Sequence, residues 1–317
     1  MDTLSEVLHN LRSSGALIGQ SLITPPWVVR VETGSSITVV TMLCGDGWIH
    51  QAGCDPVPLR NRDLAVLTGP GPVRVSSDPH GWRELACVVT ADGSCADAAG
   101  NPLEDVQVGI GHHDIHDQLE AEHAVLTGSI PASGRIAERL LSALPPVMIV
   151  PHERQRSRAL QLLETELENR EPGQQAVLDR LLDLVLIGAL RDWFALPDAT
   201  VPAWYGAAGD HVVGPALNAF HNDPAREWTV ESLAREARVS RATFARRFVE
   251  VMGEPPISYL AGWRLCLAAD HLQDGKDTVE SIARRVGYSS AYALSAAFVR
   301  EYGVRPSQYR TTRGPAG

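Results

Sequence analysis

The chain has no apolar run approaching the roughly 18 residues that indicate a membrane-spanning helix. Its opening residues, MDTLSEVLHNLRSS, also lack the basic stretch followed by an apolar block that marks a secretory signal. These absences predict a cytoplasmic protein with no membrane partner. Lysine is almost missing as well, because Lys276 is the only one, so arginine carries nearly all of the positive charge.

Cysteine is scarce and irregularly spaced. The five cysteines contain no CxxC pair, and in a cytosolic chain most cysteines are small buried apolar residues, as Cys87 between Ala86 and Val88 suggests. Cys44 and Cys54 differ, because they lie beside glycines at predicted strand ends, where a hairpin could bring them together. These two thiols are therefore the candidates for a redox switch.

An overall positive charge is also absent. The formal charge is −10, yet residues 220–317 contain 14 Arg plus Lys against 11 Asp plus Glu, a net +3, which leaves −13 for the rest. Such a charge is unusual for a free-standing nucleic-acid binder, but an acidic sensing part joined to a mildly basic DNA-binding part accounts for it. The weak positive charge of the second part implies modest non-specific affinity, and hence dimerisation or several recognition helices.

Two stretches near the C-terminus, 229–253 and 278–303, share one plan: a short helix, a tight turn, a second helix and a glycine stop. Two such motifs about 50 residues apart indicate a tandem helix-turn-helix. The segment between them, PPISYLAGWRLCLAADHLQDGKD, keeps apolar residues at helical spacing and would hold the motifs at a fixed separation. We therefore predict a protein that binds double-stranded DNA, with each protomer covering roughly 15 to 20 base pairs.

In the first copy, Ser240 is a good N-cap for the second helix. Phe244, Phe248 and Val251 line one face of that helix, which leaves a basic face outward. In a helix-turn-helix the second helix enters the major groove and offers its N-terminal residues to base edges. The predicted DNA contacts of this copy are Arg241, Thr243, Arg246 and Arg247.

In the second copy, Gly287 can supply the positive φ of the turn, and Ser289 or Ser290 can cap the following helix. The outer face of that helix has Arg300 as its only basic residue. We expect it to contact phosphates and apolar groups such as thymine methyls, while the first copy carries most of the discrimination. The predicted contacts of this copy are Ser290, Ala291, Tyr292 and Ser295.

Residues 213–310 resemble the DNA-binding domain of the AraC/XylS family of transcription regulators. The matching segments are SLAREARVSRATFARRF, GEPPISYLAGWRLCLA and IARRVGYSSAYALSAAFVREYGVRPSQYR. The resemblance implies DNA contacts from the same residues in both copies, and RNA polymerase is a further candidate partner. Where many members carry Arg and Lys late in the second recognition helix, this chain has Ala296 and Val299.

From Ser36 to about Ala96 the sequence changes to short β-branched runs, ITVVTML, GWIH, LAVLTG, PVRVSS and LACVVTA, typical of an all-β barrel or sandwich. The stretch from Leu4 to Pro146 resembles the cupin-type sensor domain that often precedes AraC-type DNA-binding domains. A small-molecule effector is expected in this barrel, although core packing explains the candidate residues equally well. The candidate pocket residues are Trp27, Met42, Trp48 and Trp82.

Histidines provide a weak metal candidate. His112, His113 and His116 stand together in HHDIH, which can bind a divalent metal, and an exposed polar loop is the favoured alternative. Cupin enzymes bind metal through closely spaced histidines and a glutamate, and the corresponding stretch here offers only His50. We therefore expect no cofactor and no enzymatic activity, with a metal-dependent cupin enzyme fused to a DNA-binding domain as the less favoured alternative.

Two helices are predicted between these regions, at 152–169 and 174–195, separated by Glu-Pro-Gly. Their leucine stripes exceed what one barrel needs to cover, and in the family resembled here the sensor helices commonly dimerise, so a homodimer is expected. Packing within one chain is the alternative. The following LPDATVPAWYGAAGD has the Pro, Gly and small residues of a linker.

These features predict an α+β fold: an N-terminal cupin-like β-barrel with a helical dimerisation segment, then an all-α double helix-turn-helix. The expected domains are a sensor at 1–146, a helical segment at 147–197, a linker at 198–212 and a DNA-binding domain at 213–317. We predict a sequence-specific transcription regulator that responds to a small molecule bound in the barrel. The alternative functions are a thiol-based redox-sensing transcription regulator and an architectural protein that binds DNA regardless of sequence.

Overall fold

The β-branched runs are strands in the structure, a computed structural model that describes residues 17–69, 71–80, 85–90, 95–97, 99, 101, 122–131, 134–168, 171–275 and 277–312. The sequence did not predict the strands outside 36–96. In chain order the strands are β1 (Leu17–Ile23), β2 (Val28–Val31), β3 (Ile37–Cys44), β4 (Gly47–His50), β5 (Val57–Leu59), β6 (Leu64–Thr68), β7 (Val73–Ser76), β8 (Leu85–Val89), β9 (Cys95–Ala96), β10 (His123–Ile130) and β11 (Val147–Val150).

The strands form two sheets. One has five strands in the order β1-β10-β3-β6-β11, and the other has six in the order β5-β4-β7-β2-β8-β9. Neighbours are antiparallel, except that β2 and β8 are parallel. In the described ranges the sheets do not close into the predicted barrel. Closure requires edge strands to pair, and in these ranges the outer strands β1 and β11 of one sheet are not paired with β5 and β9 of the other.

The core of this region lies between the two sheets and uses alternate residues of their strands. Val40 and Met42 of β3 contribute from one sheet, and Val29 and Val31 of β2 contribute from the other. This alternation is the period of two that a strand imposes on its side chains. This region is therefore a sandwich of two sheets over one apolar core.

Helices occupy most of the rest of the chain. In chain order they are α1 (Arg135–Leu141), α2 (Ala159–Glu168), α3 (Gln174–Phe194), α4 (Ala203–Ala208), α5 (Val213–Asn222), α6 (Val230–Glu236), α7 (Arg241–Met252), α8 (Pro256–Gln273), α9 (Val279–Arg285), α10 (Ala291–Tyr302) and α11 (Pro306–Thr312), with a 3-10 turn at His152–Arg154. No helix within the described ranges is long and apolar enough to cross a membrane.

The chain divides into two compact units. The described residues of 12–132 and 144–200 form the sheet unit, and those of 133–143 and 201–317 form the helical unit. In the sheet unit α2 and α3 pack on each other, and Leu182 of α3 comes within 2.8 Å of the position that a Cβ on Gly128 of β10 would take. Glycine at this position therefore lets α3 approach the five-stranded sheet closely.

The helical unit differs from the expected domain limits in two respects. The stretch 198–212, predicted as a linker, contains α4, whose Ala207 is fully buried against the first helix-turn-helix. Small residues permit this close packing as readily as they permit flexibility. In addition, α1 belongs to this unit although it lies between β10 and β11 in sequence.

Candidate nucleic-acid interface

Both predicted helix-turn-helix motifs are present, and their second helices are built alike. α7 and α10 have 12 residues each and end at Gly253 and Gly303, which have left-handed φ values of 77° and 73°. Ser240 accepts the Thr243 N–H at 3.2 Å, and Ser290 accepts the Ala293 N–H at 3.2 Å. The predicted caps are confirmed, with Ser290 as the cap of the second copy. Such a cap satisfies an N–H that the helix leaves unpaired.

The turns before these helices contain residues with positive φ. Gly287 has a φ of 86°, which confirms the prediction for the second copy. In the first copy Arg238 has a φ of 55°, one of two positive values at non-glycine residues among those described. A side chain in this region is strained, so the geometry of the turn is imposed by the packing around it.

Buried aromatic residues fix the orientation of α7. Phe244 and Phe248 are fully buried and pack with Phe220 and Trp228 in the core of the first copy. Four side chains on the opposite side are exposed, as the sequence predicted: Arg241, Thr243, Arg246 and Arg247.

The exposed arginines of α7 differ in how strongly they are held. Arg247 donates from Nε and Nη2 to Asp210 Oδ2 at 2.9 and 2.7 Å, and it also contacts Glu250. Among the described residues Arg246 has a single ion-pair contact, at 3.9 Å from Glu250, and its side chain is 75% exposed. The described residues provide no ion-pair partner for Arg241. No sequence signal connects Asp210 with Arg247, because the contact spans 37 residues.

The outer face of α10 is apolar. Tyr292 is 84% exposed, and Ala296 and Val299 are exposed beside it, while Ala291 and Ser295 are half-buried. Glu280 of α9 accepts the Ala291 N–H at 2.9 Å, which ties the start of α10 to the supporting helix. This backbone hydrogen bond, followed by the contact with Arg284, holds the pKa of Glu280 below its ordinary value.

In the sheet unit the predicted effector residues have different surroundings. Trp27 and Met42 are fully buried in the core between the sheets, and Trp48 is half-buried. Trp82 lies outside the described residues. A cavity of about 610 Å³ lies elsewhere in this unit and is lined in part by Val147, Trp193 and Leu196. A role in effector binding stays a prediction for all four predicted residues.

The predicted thiol and metal sites can be located only in part. Cys44 and Cys54 are exposed and carry free thiols, so their redox role stays a prediction. The histidines of the HHDIH segment, His112, His113 and His116, lie outside the described residues.

A metal-binding cupin needs several histidine or carboxylate ligands in one place. The described residues contain no group of three or more His, Cys, Asp or Glu that could hold a metal ion. His50 instead contacts Ser76 Oγ at 2.7 Å, and His123 packs edge-on against Trp27 with ring centroids 5.7 Å apart. These histidines do not form a ligand set, so the described part of the sheet unit does not fit a cupin metal centre.

Comparisons with known proteins match both halves of the chain. A family profile described as cupin matches residues 2–195, and one described as a helix-turn-helix domain matches residues 233–312. A Streptomyces lividans protein named as an AraC-like transcription regulator is 33% identical over 315 residues, which cover 98% of each chain. A Streptomyces antibioticus protein named in the same way is 31% identical over 315 residues, again 98% of each.

Among solved structures, the DNA-binding domain of AdpA in complex with a target DNA is 31% identical, covers 34% of this chain and 100% of its own, and has a TM-score of 0.33. The predicted family and fold class are confirmed by the full-length relatives and the two profiles. The chain therefore belongs to the AraC-like transcription regulators, as a DNA-binding regulator with an N-terminal cupin-like domain.

Proposed function

We propose that this regulator recognises a specific operator by placing α7 and α10 in successive major grooves. The observation that carries the proposal is the pair of equivalent, identically capped helices, each anchored by a fully buried phenylalanine, Phe248 or Phe298, and exposed on the opposite face. In the first copy, Arg241 and Arg246 are assigned to base edges because their guanidinium groups are available, and a guanidinium binds guanine in a bidentate manner.

Arg247 is assigned a different role. Its donors are already engaged by Asp210, whose carboxylate also accepts the Val212 and Val213 N–H groups at 2.8 and 3.0 Å. Although burial alone would raise the pKa of Asp210, these N–H groups and Arg247 hold it below its ordinary value. The pair therefore stabilises the position of α7, and Arg247 contributes to DNA binding through its positive charge near the phosphates.

The two recognition helices are assigned different bases. Adding 50 to each position of α7 gives the equivalent position of α10, and this converts Arg241, Arg246 and Arg247 into alanines, the last two being Ala296 and Ala297. An alanine cannot donate to guanine, but its methyl group packs on the methyl group of thymine. We assign guanine recognition to α7 and thymine recognition to α10, where Tyr292 and Ser295 lie on the same helix as the alanines.

The test is selection of bound fragments from random DNA, followed by affinity measurements on the selected site. Arg246→Ala or Arg241→Ala should cost about 1 to 3 kcal/mol on that site and much less on random DNA. Ser295→Ala, the matched control on α10, should cost less. Equal losses on selected and random DNA would mean that the arginines contact only phosphate.

Thymine recognition has its own test on the same DNA. Replacing thymine by deoxyuridine removes one methyl group and preserves the base pairing. Each contacted methyl should contribute about 0.8 kcal/mol in the segment protected by α10 and little in the segment protected by α7. Ala296→Arg should shift the selected base toward guanine. An unchanged affinity with deoxyuridine throughout would contradict the assignment.

Effector binding and homodimerisation complete the proposal. The 610 Å³ cavity of the sheet unit has the volume of a small-molecule site and supports an effector there. Val177 and Leu184 of α3 are 44% and 51% exposed, and with half-buried Leu181 they form an apolar stripe that supports pairing with a second copy. An effector would shift the dimer between arrangements that match or miss the operator spacing.

A further inference from the structure

The repeat within the helical unit continues beyond the recognition helices. α8 and α11 both begin with a proline, Pro256 and Pro306, three residues after the glycine that ends the preceding helix. As a result Tyr259 and Tyr309 occupy equivalent positions, and each is 4% exposed. Each packs under its own recognition helix, with ring centroids 6.0 Å apart for Tyr259 and Phe248 and 5.3 Å apart for Tyr309 and Phe298.

Helix α1 contacts both of these tyrosines. The guanidinium carbon of Arg139 lies 4.7 Å from the ring centroid of Tyr259, and that of Arg135 lies 5.6 Å from Tyr309 and 4.8 Å from Tyr302. Arg135 Nε also donates to the Tyr309 hydroxyl at 2.9 Å. Residues four apart lie on one face of a helix, so a single face of α1 reaches both helix-turn-helix copies.

Helix α8, which joins the two copies, holds α1 in place. The Asp270 carboxylate accepts the backbone N–H groups of Arg135 and Ile136, the latter at 3.3 Å. Ile136 is 2% exposed. A Cβ on Gly262 of α8 would lie 2.9 Å from Arg139 Nη1, so the glycine provides the space for this guanidinium.

We propose that α1 is a brace that sets the relative orientation of α7 and α10, with Arg135 and Arg139 as positioning residues for DNA binding. The inference rests on the proposed function, because orientation matters only when both helices enter the DNA together. Each base-pair step rotates the groove by about a tenth of a turn. A braced pair of helices therefore accepts one spacing, whereas a pair released from the brace adjusts to several.

The experiment measures the affinity of the full chain for its selected site and for the same site with one base pair inserted or removed between the segments protected by α7 and α10. The wild type should lose about tenfold or more in affinity on either altered site, since one recognition helix no longer fits its bases. Arg135→Met with Arg139→Met should reduce this penalty to less than about threefold. Arg135→Lys with Arg139→Lys, which retains a cation over each ring, should restore most of the penalty.

Arg226→Met is the matched control, because Arg226 lies 4.1 Å over the ring of Trp228 within the first copy alone. It should leave the spacing penalty unchanged. If the double methionine variant loses its fold, Arg139→Met alone, compared at equal thermal stability with Arg226→Met, provides the same measurement. The brace is overturned if affinity falls equally at every spacing or if the full penalty persists. A wild type that tolerates all spacings would instead overturn simultaneous binding by both helices, and with it the proposed function.

Discussion

His221 is a histidine that the helical unit keeps neutral. Its side chain is buried, Nε2 lies 3.0 Å from the Tyr259 hydroxyl, and its ring stacks on Trp263 with centroids 4.3 Å apart. Burial, followed by the nearby charge of Arg139, lowers the pKa of His221 to about 4. Protonation of this ring therefore opposes folding.

The pKa of Asp270 is shifted upward, whereas that of His221 is shifted downward. Burial raises the pKa of its carboxyl group to about 6, although the N–H groups of Arg135 and Ile136 favour the charged form. The carboxylate that holds α1 is thus costly to ionise, and a proton competes with the two N–H groups for its oxygens.

These two residues give the free energy of unfolding opposite dependences on pH. From pH 4 to 6.5 the unfolded chain binds more protons at His221 than the folded chain, so the contribution of His221 to stability rises with pH. From pH 3.8 to 6 the folded chain binds more protons at Asp270, so the contribution of Asp270 falls with pH. Relative to wild type, His221→Gln should make the slope of the free energy of unfolding against pH more negative, and Asp270→Asn should make it more positive. Summed over its window, each change should amount to at most about 3 kcal/mol. Urea titrations between pH 4 and 7 measure these slopes. If both variants showed the same pH dependence as the wild type, the prediction would be wrong.

At the level of single elements, the residue types of neighbouring positions correctly predicted helix caps, turns and several strands. The cap at Ser240, the left-handed residue Gly287 and the strands β3 and β4 all followed from neighbouring residue types. The strand β10 was missed because HAVLTGSI lies outside the runs at 36–96 and directly follows the polar segment HHDIHDQLEAE. The seven-residue helix α1 was missed because its first turn is completed by Asp270, 135 residues away.

Two glycines with similar positive φ values allow the cost of a strained backbone to be distinguished from the cost of a steric clash. Gly253 has a φ of +77°, and a Cβ added there would meet no atom within 4 Å, whereas a Cβ on Gly287, at +86°, would lie 2.8 Å from the Ala225 carbonyl oxygen. Gly253→Ala should cost about 1 kcal/mol from the left-handed backbone alone. Gly287→Ala should cost clearly more. Denaturant unfolding of the two variants gives the difference, and equal costs would show that the turn relaxes freely.

At the scale of the whole molecule, the sequence identified both parts of the chain but not how the chain is divided between its compact units. Composition and turn signals cannot show that α1 leaves the sheet unit, because its contacts join residues more than a hundred positions apart. They also cannot decide between a closed barrel and two sheets, since both have the same alternation along each strand. Whether the edge strands of the two sheets pair depends on contacts between residues that are distant in sequence.

The apolar stripe on α3 predicts the oligomeric state. Leu184→Glu places a charge on the most exposed residue of that stripe and should convert a dimer into a monomer, because an unpaired carboxylate is costly to bury. Gln175→Glu, an exposed substitution on the same helix, should leave the dimer intact. Sedimentation velocity distinguishes the two, and a dimer that survives Leu184→Glu would place its interface elsewhere.

The replacement of arginine by alanine between α7 and α10 has a consequence for the target DNA. Under the proposed assignment, α7 reads guanine at one end of its site and α10 reads thymine at the other. Each half of the operator would then have a defined direction along the duplex. The base sequence alone would reveal whether two bound subunits point the same way along the duplex or face each other.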